Sequence, residues 1–194
     1  MGKKIVIIDG HPDGHADRLC HALARAYGDG AQAGGHEVRR IDVTALEFPL
    51  LRSKQDFDHG PVPPDIQAVQ KNLIWADHML MVYPLWLGTM PALLKAFLEQ
   101  LFRPDFAFER QDKGWPRRLL KGRSARIIVT MGMPALAYRW LYGAHSLKSL
   151  ERNILKFAGI SPVRENLFGL VDAASDAKRR KWLEKIESLG RKGR

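Results

Sequence analysis

Three short segments contain the residues best suited to bind a ligand or to react with it. Residues 10–20 mix glycines with histidine, aspartate and arginine and end in Cys20. Residues 84–90 and 130–134 contain no acidic or basic side chain, and each follows a largely apolar run. The last two segments therefore cannot move protons with their own side chains. They can offer backbone N–H groups and an apolar wall, which indicates ligand binding.

The two segments without charged side chains suit a flat, partly polar ring. A flavin is such a ring, since its dimethylbenzene side needs apolar cover and its pyrimidine edge and N5 need hydrogen bonds. Residues 10–20 suit a phosphate, because they lead into an alanine-rich stretch whose first helical turn would direct N–H groups at an anion. The segment has neither G-x-G-x-x-G nor G-x-x-x-x-G-K-[ST], so it supports neither a Rossmann nor a nucleoside-triphosphate loop.

Alternating elements must position these segments. Residues 5–8, 79–83 and 125–131 are typical of strands buried in a parallel sheet, whereas residues 36–41 and 163–170 alternate like edge strands. The pattern predicts one α/β domain over residues 1–194, a flavodoxin-like three-layer sandwich with a five-stranded parallel sheet in the order 2-1-3-4-5. The three segments then meet at the carboxyl ends of the strands, where such sheets bind ligands. Predicted helices are 18–33, 64–75, one with Pro91 in its first turn, 146–158, and one from Asp172 or Ser175 onwards.

The stretch around the second segment carries a family pattern. It reads aromatic-Pro-Leu-x-x-x-x-x-Pro-x-Leu-Leu-Lys from Tyr83 to Lys95, and an amphipathic helix and Phe-Ala-Phe at 106–108 follow. The pattern resembles the flavodoxin-like NAD(P)H:quinone oxidoreductases, including bacterial quinone reductases and the ancillary flavoproteins of potassium-efflux systems. The resemblance implies FMN or FAD, with FMN slightly favoured, and NAD(P)H as co-substrate. It also implies two-electron reduction of a quinone or other small electron acceptor by a ping-pong hydride shuttle.

The resemblance further implies cofactor contacts in all three segments. The chain departs from the family where Trp86-Leu87 replace a common Gln-Trp, where Arg18 replaces a hydroxyl residue, and where Met131 and Met133 replace a Thr and a Gly. An arginine at the phosphate end would add charged donors. The implied contacts are His11, Arg18, Leu19 and Cys20 at the phosphate and ribityl end, Pro84, Leu85, Trp86 and Leu87 at the N5 side, and Thr130, Met131, Gly132 and Met133 at the N1 side.

Two residues downstream of the third segment are candidate catalytic groups. Quinone reductases place a tyrosine and a histidine there, and Tyr138 and His145 match them in order and nearly in spacing. A phenol and an imidazole can donate protons or hydrogen bonds to a quinone oxygen that gains negative charge. The alternative is a packed tyrosine and a surface histidine.

Two further stretches leave alternatives open. Residues 42–64 are a loop with an apolar patch and a proline-rich end, which predicts a lid, a docking surface or simple packing. The helix after Pro91 has a broad apolar face that either completes the core or meets a second subunit. The family resemblance favours a homodimer with the flavin site at the interface.

Composition limits the class of protein. The 194 residues carry a formal charge of +10, with much of it in residues 117–126 and 178–194. We interpret this charge as a solvated surface that can attract NADPH, and the alternative is a nucleic-acid binder. A single cysteine, no signal-peptide pattern and no apolar run of membrane-spanning length predict a cytoplasmic protein without a membrane span. A different class remains open, a flavodoxin-like regulatory module that binds a transport or other partner protein.

The histidines and aspartates of residues 10–21 are the remaining candidates for a metal site. Their spacing fits no usual helical ligand pair, so we predict no metal. We expect His15 and His21 to lie on the surface.

Overall fold

The computed structural model describes residues 2–194. Its core is a sheet of five strands in which every neighbouring pair is parallel. The spatial order is β2-β1-β3-β4-β5, as predicted. The strands are β1 (Lys4–Asp9), β2 (Glu37–Asp42), β3 (His78–Pro84), β4 (Ser124–Thr130) and β5 (Val163–Phe168).

Helices cover both faces of the sheet and complete three layers. Leu23, Tyr27 and Ile186 belong to the apolar cluster on one face. Ile66, Phe97 and Leu155 belong to the cluster on the other face. The helices are α1 (Leu19–Ala33), α2 (Lys54–His59), α3 (Pro64–Trp75), α4 (Ala92–Leu101), α5 (Ala135–Trp140), α6 (His145–Ser149), a π-helical run (Leu150–Leu155), α7 (Lys156–Ala158) and α8 (Asp176–Arg191).

The sequence pattern of each strand matches its burial. All seven residues of β3 are buried, and the central residues of β1 and β4 are buried as well. The outer strands β2 and β5 keep much of their surface exposed. Among residues 2–194, no helix is long and apolar enough to cross a bilayer.

Arg103 fixes the loop between β2 and α3. Its buried guanidinium, at the end of α4, donates at 3.1 Å to the carbonyl oxygens of Phe57 and Pro61. It also donates to the carbonyls of Asp56 and Gly60. These bonds give partners to carbonyls in the last turn of α2 and in the residues just after it, where a helix leaves carbonyls unpaired. Residues 53–61 are therefore held against the domain, which agrees with the packing alternative for this loop.

Candidate active site

A groove of about 710 Å³ lies at the carboxyl edge of the sheet. Its walls come from the β1–α1 loop and the start of α1, the β3–α4 and β4–α5 loops, and the β5–α8 loop with part of α8. The volume is in the usual range for a small-molecule site. The rings of His11 and Trp86 both line the groove, and they meet edge to face with their centroids 6.2 Å apart, which links the β1–α1 and β3–α4 loops. The three predicted segments thus meet in one place.

The start of α1 forms an anion cradle, which we define as the backbone N–H groups of its first turn together with the side chains of His11 and Arg18. Arg18, at the N-cap, makes no side-chain capping bond, and the first turn contains no acidic residue. The first N–H groups of a helix have no partner within the helix, and the positive end of the helix dipole lies there. Leu19 and Cys20 line the groove at this point. The donors are suitable for a phosphate.

His11 contributes a neutral ring to this cradle. Its Nδ1 lies 3.1 Å from both the backbone nitrogen and the carbonyl oxygen of Asp13, so Nδ1 has a partner there in either tautomer. Burial, together with the charge of His21, lowers the pKa of His11. Because Asp13 occupies Nδ1, the neutral ring has its Nε2 left to bind a ligand.

Arg18 is engaged by Asp13 in this structure. Its Nε–H donates to Asp13 Oδ2 at 2.8 Å, and a second guanidinium N–H donates to the same oxygen. The His15 backbone N–H and the Arg18 side chain lower the pKa of Asp13. Since a guanidinium has five N–H donors, Arg18 has others left for a phosphate.

The β3–α4 loop offers fewer amides than we predicted. The Leu85 N–H donates to the Thr130 carbonyl at 2.7 Å, and Trp86 and Thr89 exchange backbone bonds of 2.8 and 2.9 Å around a tight turn. Pro84 has no N–H. This loop therefore contributes mainly an apolar wall, because its amides at residues 85 and 86 close the loop itself.

The β4–α5 loop retains a free donor. The Met131 N–H donates to the Phe168 carbonyl at 2.8 Å. The N–H of Gly132 has no partner in the part of the chain that the structure describes, and Gly132 lines the groove. Thr130 Oγ1 lies 3.3 Å from Cys20 Sγ and ties this loop to α1. Burial raises the pKa of Cys20 to about 12, so its thiol stays protonated and unreactive.

The fourth wall of the groove was missed by the sequence analysis. Val171, Asp172, Arg179 and Leu183 line it from the β5–α8 loop and α8. The Arg179 guanidinium donates to the Val171 carbonyl at 3.2 Å and fixes the loop to the helix. This wall could have been predicted from the position of the β5–α8 loop in the fold, because that loop also follows the carboxyl end of a parallel strand.

The sequence profile of the Flavodoxin_2 family, described as a flavodoxin-like fold, matches residues 3–189. The chain belongs to this family. Both the predicted fold class and the predicted family resemblance are therefore confirmed.

Relatives with known names are similar to this Flavodoxin_2 protein over most of its length. An uncharacterized NAD(P)H oxidoreductase of Haemophilus influenzae is 28% identical over 183 residues, which cover 92% of this chain and 90% of the relative. An FMN-dependent NADH:quinone oxidoreductase 2 of Listeria innocua is 28% identical over 139 residues, which cover 63% of this chain and 62% of the relative. The solved NAD(P)H:quinone oxidoreductase of Methanothermobacter marburgensis is 20% identical, has a TM-score of 0.82 and covers 98% of both chains. At this sequence identity, the similarity to the Methanothermobacter marburgensis structure shows a common fold only.

Most of the predicted cofactor residues of this Flavodoxin_2 protein line the groove. Leu87 and Met133 do not. The Leu87 side chain is fully exposed at the tip of the turn, with a φ of 48°. The lining residues are His11, Arg18, Leu19, Cys20, Pro84, Leu85, Trp86, Thr130, Met131 and Gly132.

The two candidate catalytic residues lie outside the groove lining of the single chain. Tyr138 is 1% exposed, and its hydroxyl accepts a hydrogen bond from the Leu147 N–H at 3.2 Å. Burial raises the pKa of Tyr138. His145 is exposed at the start of α6. The catalytic roles of both residues stay predictions. Their surroundings in the single chain agree with the alternative, in which the tyrosine is packed and the histidine lies on the surface.

His21 is not on the surface as we expected. Its ring is buried between β1 and the β1–α1 loop, where Asp9 and Asp13 provide acceptors. The prediction was wrong because those acceptors come from a strand end and a loop carbonyl, which helical spacing does not reveal. The prediction for His15 is confirmed, since its side chain is 82% exposed.

Proposed function

We propose that this protein is a flavin-dependent NAD(P)H oxidoreductase that reduces quinones or similar small electron acceptors. The observation that carries the proposal is the groove itself, in which an uncapped helix start lies below a slot walled by apolar side chains and a free amide. A phosphate joined to a planar, partly polar ring has the same division of polarity. The names of the relatives from Haemophilus influenzae and Listeria innocua support the same class of reaction.

The donor set fits a flavin mononucleotide. The first-turn amides of α1 and the spare donors of Arg18 are suitable for a phosphate, and so is His11 in the tautomer that carries its proton on Nε2. Pro84, Leu85 and Trp86 would cover one side of the ring, and the Gly132 N–H would donate to its polar edge. We favour FMN because a similar protein is named FMN-dependent. The added space toward α8, with Arg179, leaves room for the larger FAD.

The residues of this chain bind and orient the reactants. The chemistry that a bound flavin supplies is hydride transfer, from NAD(P)H in one half-reaction and to the acceptor in the other. The apolar wall keeps water from the ring, and the Gly132 amide would stabilise negative charge at its edge. Of the two proposed proton donors, His145 has the exposed side chain, whereas the Tyr138 hydroxyl is buried and bonded.

The deciding experiment is the absorbance spectrum of the purified protein, followed by mass spectrometry of the released chromophore. We expect a flavin spectrum, either as purified or after addition of FMN, and steady oxidation of NAD(P)H when a quinone is added. Initial rates at several concentrations of both substrates should give the parallel double-reciprocal lines of a ping-pong reaction. A colourless protein that neither FMN nor FAD restores would contradict the proposal. Tight flavin binding without turnover would instead favour the regulatory module.

A further inference from the structure

His21 lies between two hydrogen-bond acceptors. Its Nδ1 is 2.5 Å from Asp9 Oδ2, and its Nε2 is 2.8 Å from the carbonyl oxygen of Asp13. The ring is 8% exposed. A carbonyl oxygen only accepts, and so does an ionised carboxylate. Both ring nitrogens must therefore carry a hydrogen for both bonds to exist, which makes His21 an imidazolium.

The groups that face His21 favour this charge on balance. On one side lie Asp9 of β1 and the β1–α1 loop, where the His11 ring centroid is 5.3 Å away. On the other side, a cavity of about 290 Å³ is lined by Arg25 of the same helix and by Arg40 and Asp42 of β2.

These surroundings set the pKa of His21. Burial lowers it, but the bonds to Asp9 and to the Asp13 carbonyl, with the negative charges of Asp9 and Asp42, outweigh burial and raise it above the ordinary value.

A cation at this position is unusual for a helix. His21 is the third residue of α1, and the positive end of the helix dipole there disfavours a positive charge. A cation in the first turn is useful if an anion binds beside it, since the charge then adds to that of the helix end. The adjacent anion cradle is such a place.

Asp13 connects His21 to the rest of the cradle. Its carbonyl accepts from His21, its backbone nitrogen and carbonyl oxygen each lie 3.1 Å from His11 Nδ1, and its carboxylate accepts from Arg18. A neutral His21 has one N–H group, so it can donate only one of these two hydrogen bonds. Loss of the bond to the Asp13 carbonyl would release the backbone that orients His11 and Arg18.

We propose that His21 is a positioning residue with two effects: its imidazolium holds the Asp13 backbone in place, and it adds positive charge next to the anion cradle. Anion binding in the groove is therefore coupled to the binding of one proton by His21. The inference rests on the proposed function only for the identity of the anion, the phosphate of FMN. Anion affinity is highest where His21 is charged and falls as the pH rises through the pKa of His21 in the free protein. Bound phosphate in turn raises that pKa.

The first experiment measures the histidine rings of the flavin-free protein by ¹H–¹⁵N correlation NMR as a function of pH. We expect both His21 ring nitrogens to be protonated at pH 6.5 and the pKa of His21 to lie above the ordinary histidine value of about 6.5. A His21 ring that is neutral at pH 6.5 would overturn the inference. This readout needs neither flavin nor activity.

The second experiment measures the affinity for FMN and, separately, for inorganic phosphate by calorimetry between pH 7 and pH 9. A phosphate monoester is already a dianion there, since its second pKa is near 6. One linked proton weakens binding by at most about tenfold per pH unit, and we expect the wild type to lose at least about threefold over this range. The His21→Gln variant should bind FMN and phosphate weakly, and its affinity should not depend on pH in this way. In the Asp9→Asn variant the fall in affinity should occur at lower pH than in the wild type.

A matched control separates this role from a general structural one. His15→Gln removes an exposed histidine from the same loop and should leave the wild-type slope and affinity. If His21→Gln binds FMN as the wild type does, with the same pH dependence, the inference fails and the proposed function stands. If the wild type binds inorganic phosphate with the linked slope but binds no flavin, the proposed function fails and the inference stands.

Discussion

His78 is a titratable side chain in the interior, at the edge of the sheet opposite the groove. It is 3% exposed at the start of β3, and its Nδ1 bonds to the Ser124 hydroxyl at 2.7 Å. Its Nε2 has no partner within residues 2–194. Burial, with the nearby charges of Lys3 and Arg126, lowers the pKa of His78 to about 3. The ring is therefore neutral in the folded protein at all but very acid pH.

This burial makes the fold sensitive to acid. Below pH 6.5 His78 is protonated in the unfolded chain, whereas in the folded protein it stays neutral down to about pH 3. The free energy of unfolding therefore decreases as the pH falls from 6.5 towards 3. At 1.36 kcal/mol per pKa unit the effect reaches about 3 kcal/mol between pH 6.5 and pH 4. His78→Phe should flatten the pH dependence of the free energy of unfolding, measured with urea, whereas His15→Gln should keep it. Equal slopes for wild type and His78→Phe would contradict this account.

At the scale of elements, α1 and α8 pack backbone to backbone. A Cβ added at Gly30 would lie 2.0 Å from the Glu187 carbonyl oxygen, and one at Gly190 would lie 2.0 Å from the Tyr27 carbonyl oxygen. Neither backbone oxygen can move aside without separating the helices. The two glycines thus set the distance between these helices, and α8 in turn carries the fourth wall of the groove.

Gly30→Ala is therefore expected to destabilise the fold despite the better helix propensity of alanine. Overpacking of this kind typically costs about 1–3 kcal/mol. Gly28→Ala is the matched control, because a Cβ there meets only the flexible, exposed end of Arg40. It should be neutral or stabilising by up to about 1 kcal/mol. Thermal and urea unfolding of both variants measure the difference, and equal losses in the two variants would contradict the packing argument.

The elements that the sequence predicts well are those with long periodic patterns. The buried strands and α1, α3, α4 and α8 lie close to their predicted positions. No sequence pattern predicted α2, α5 or the short hairpin of Phe108–Glu109 with Arg117–Arg118. These pieces are too short to show a period, and α2 depends on Arg103, about 45 residues away along the chain.

The candidate site shows the same limit of prediction. Its three loops were predictable because parallel strands end at one edge. The engagement of the Leu85 and Trp86 amides, the α8 wall and the burial of His21 depend on contacts between distant segments. Patterns within one segment do not contain that information.

At the scale of the whole molecule, apolar surface is concentrated next to the groove. Leu136, Trp140, Leu141 and Tyr142 are each more than half exposed, and they lie on or directly after α5. This helix follows the β4–α5 loop that walls the groove. Exposed apolar patches of this kind mark interaction sites. We propose that a second copy of the chain covers this segment, in line with the homodimer that the family resemblance predicts.

The dimer prediction is checked by sedimentation equilibrium at micromolar protein. We expect the wild type to be a dimer, since a stable interface buries roughly 800 Å² per partner and the α5 patch supplies its apolar centre. The double variant Trp140→Asp, Leu141→Asp should be monomeric, because each carboxylate would have to lose its water on association. It should also hold FMN more weakly, as the partner would lie beside the groove. Ile74→Asp, at an exposed apolar residue of α3, is the control and should stay dimeric. A monomeric wild type would contradict the prediction. A dimeric double variant would show that the interface does not include the α5 patch.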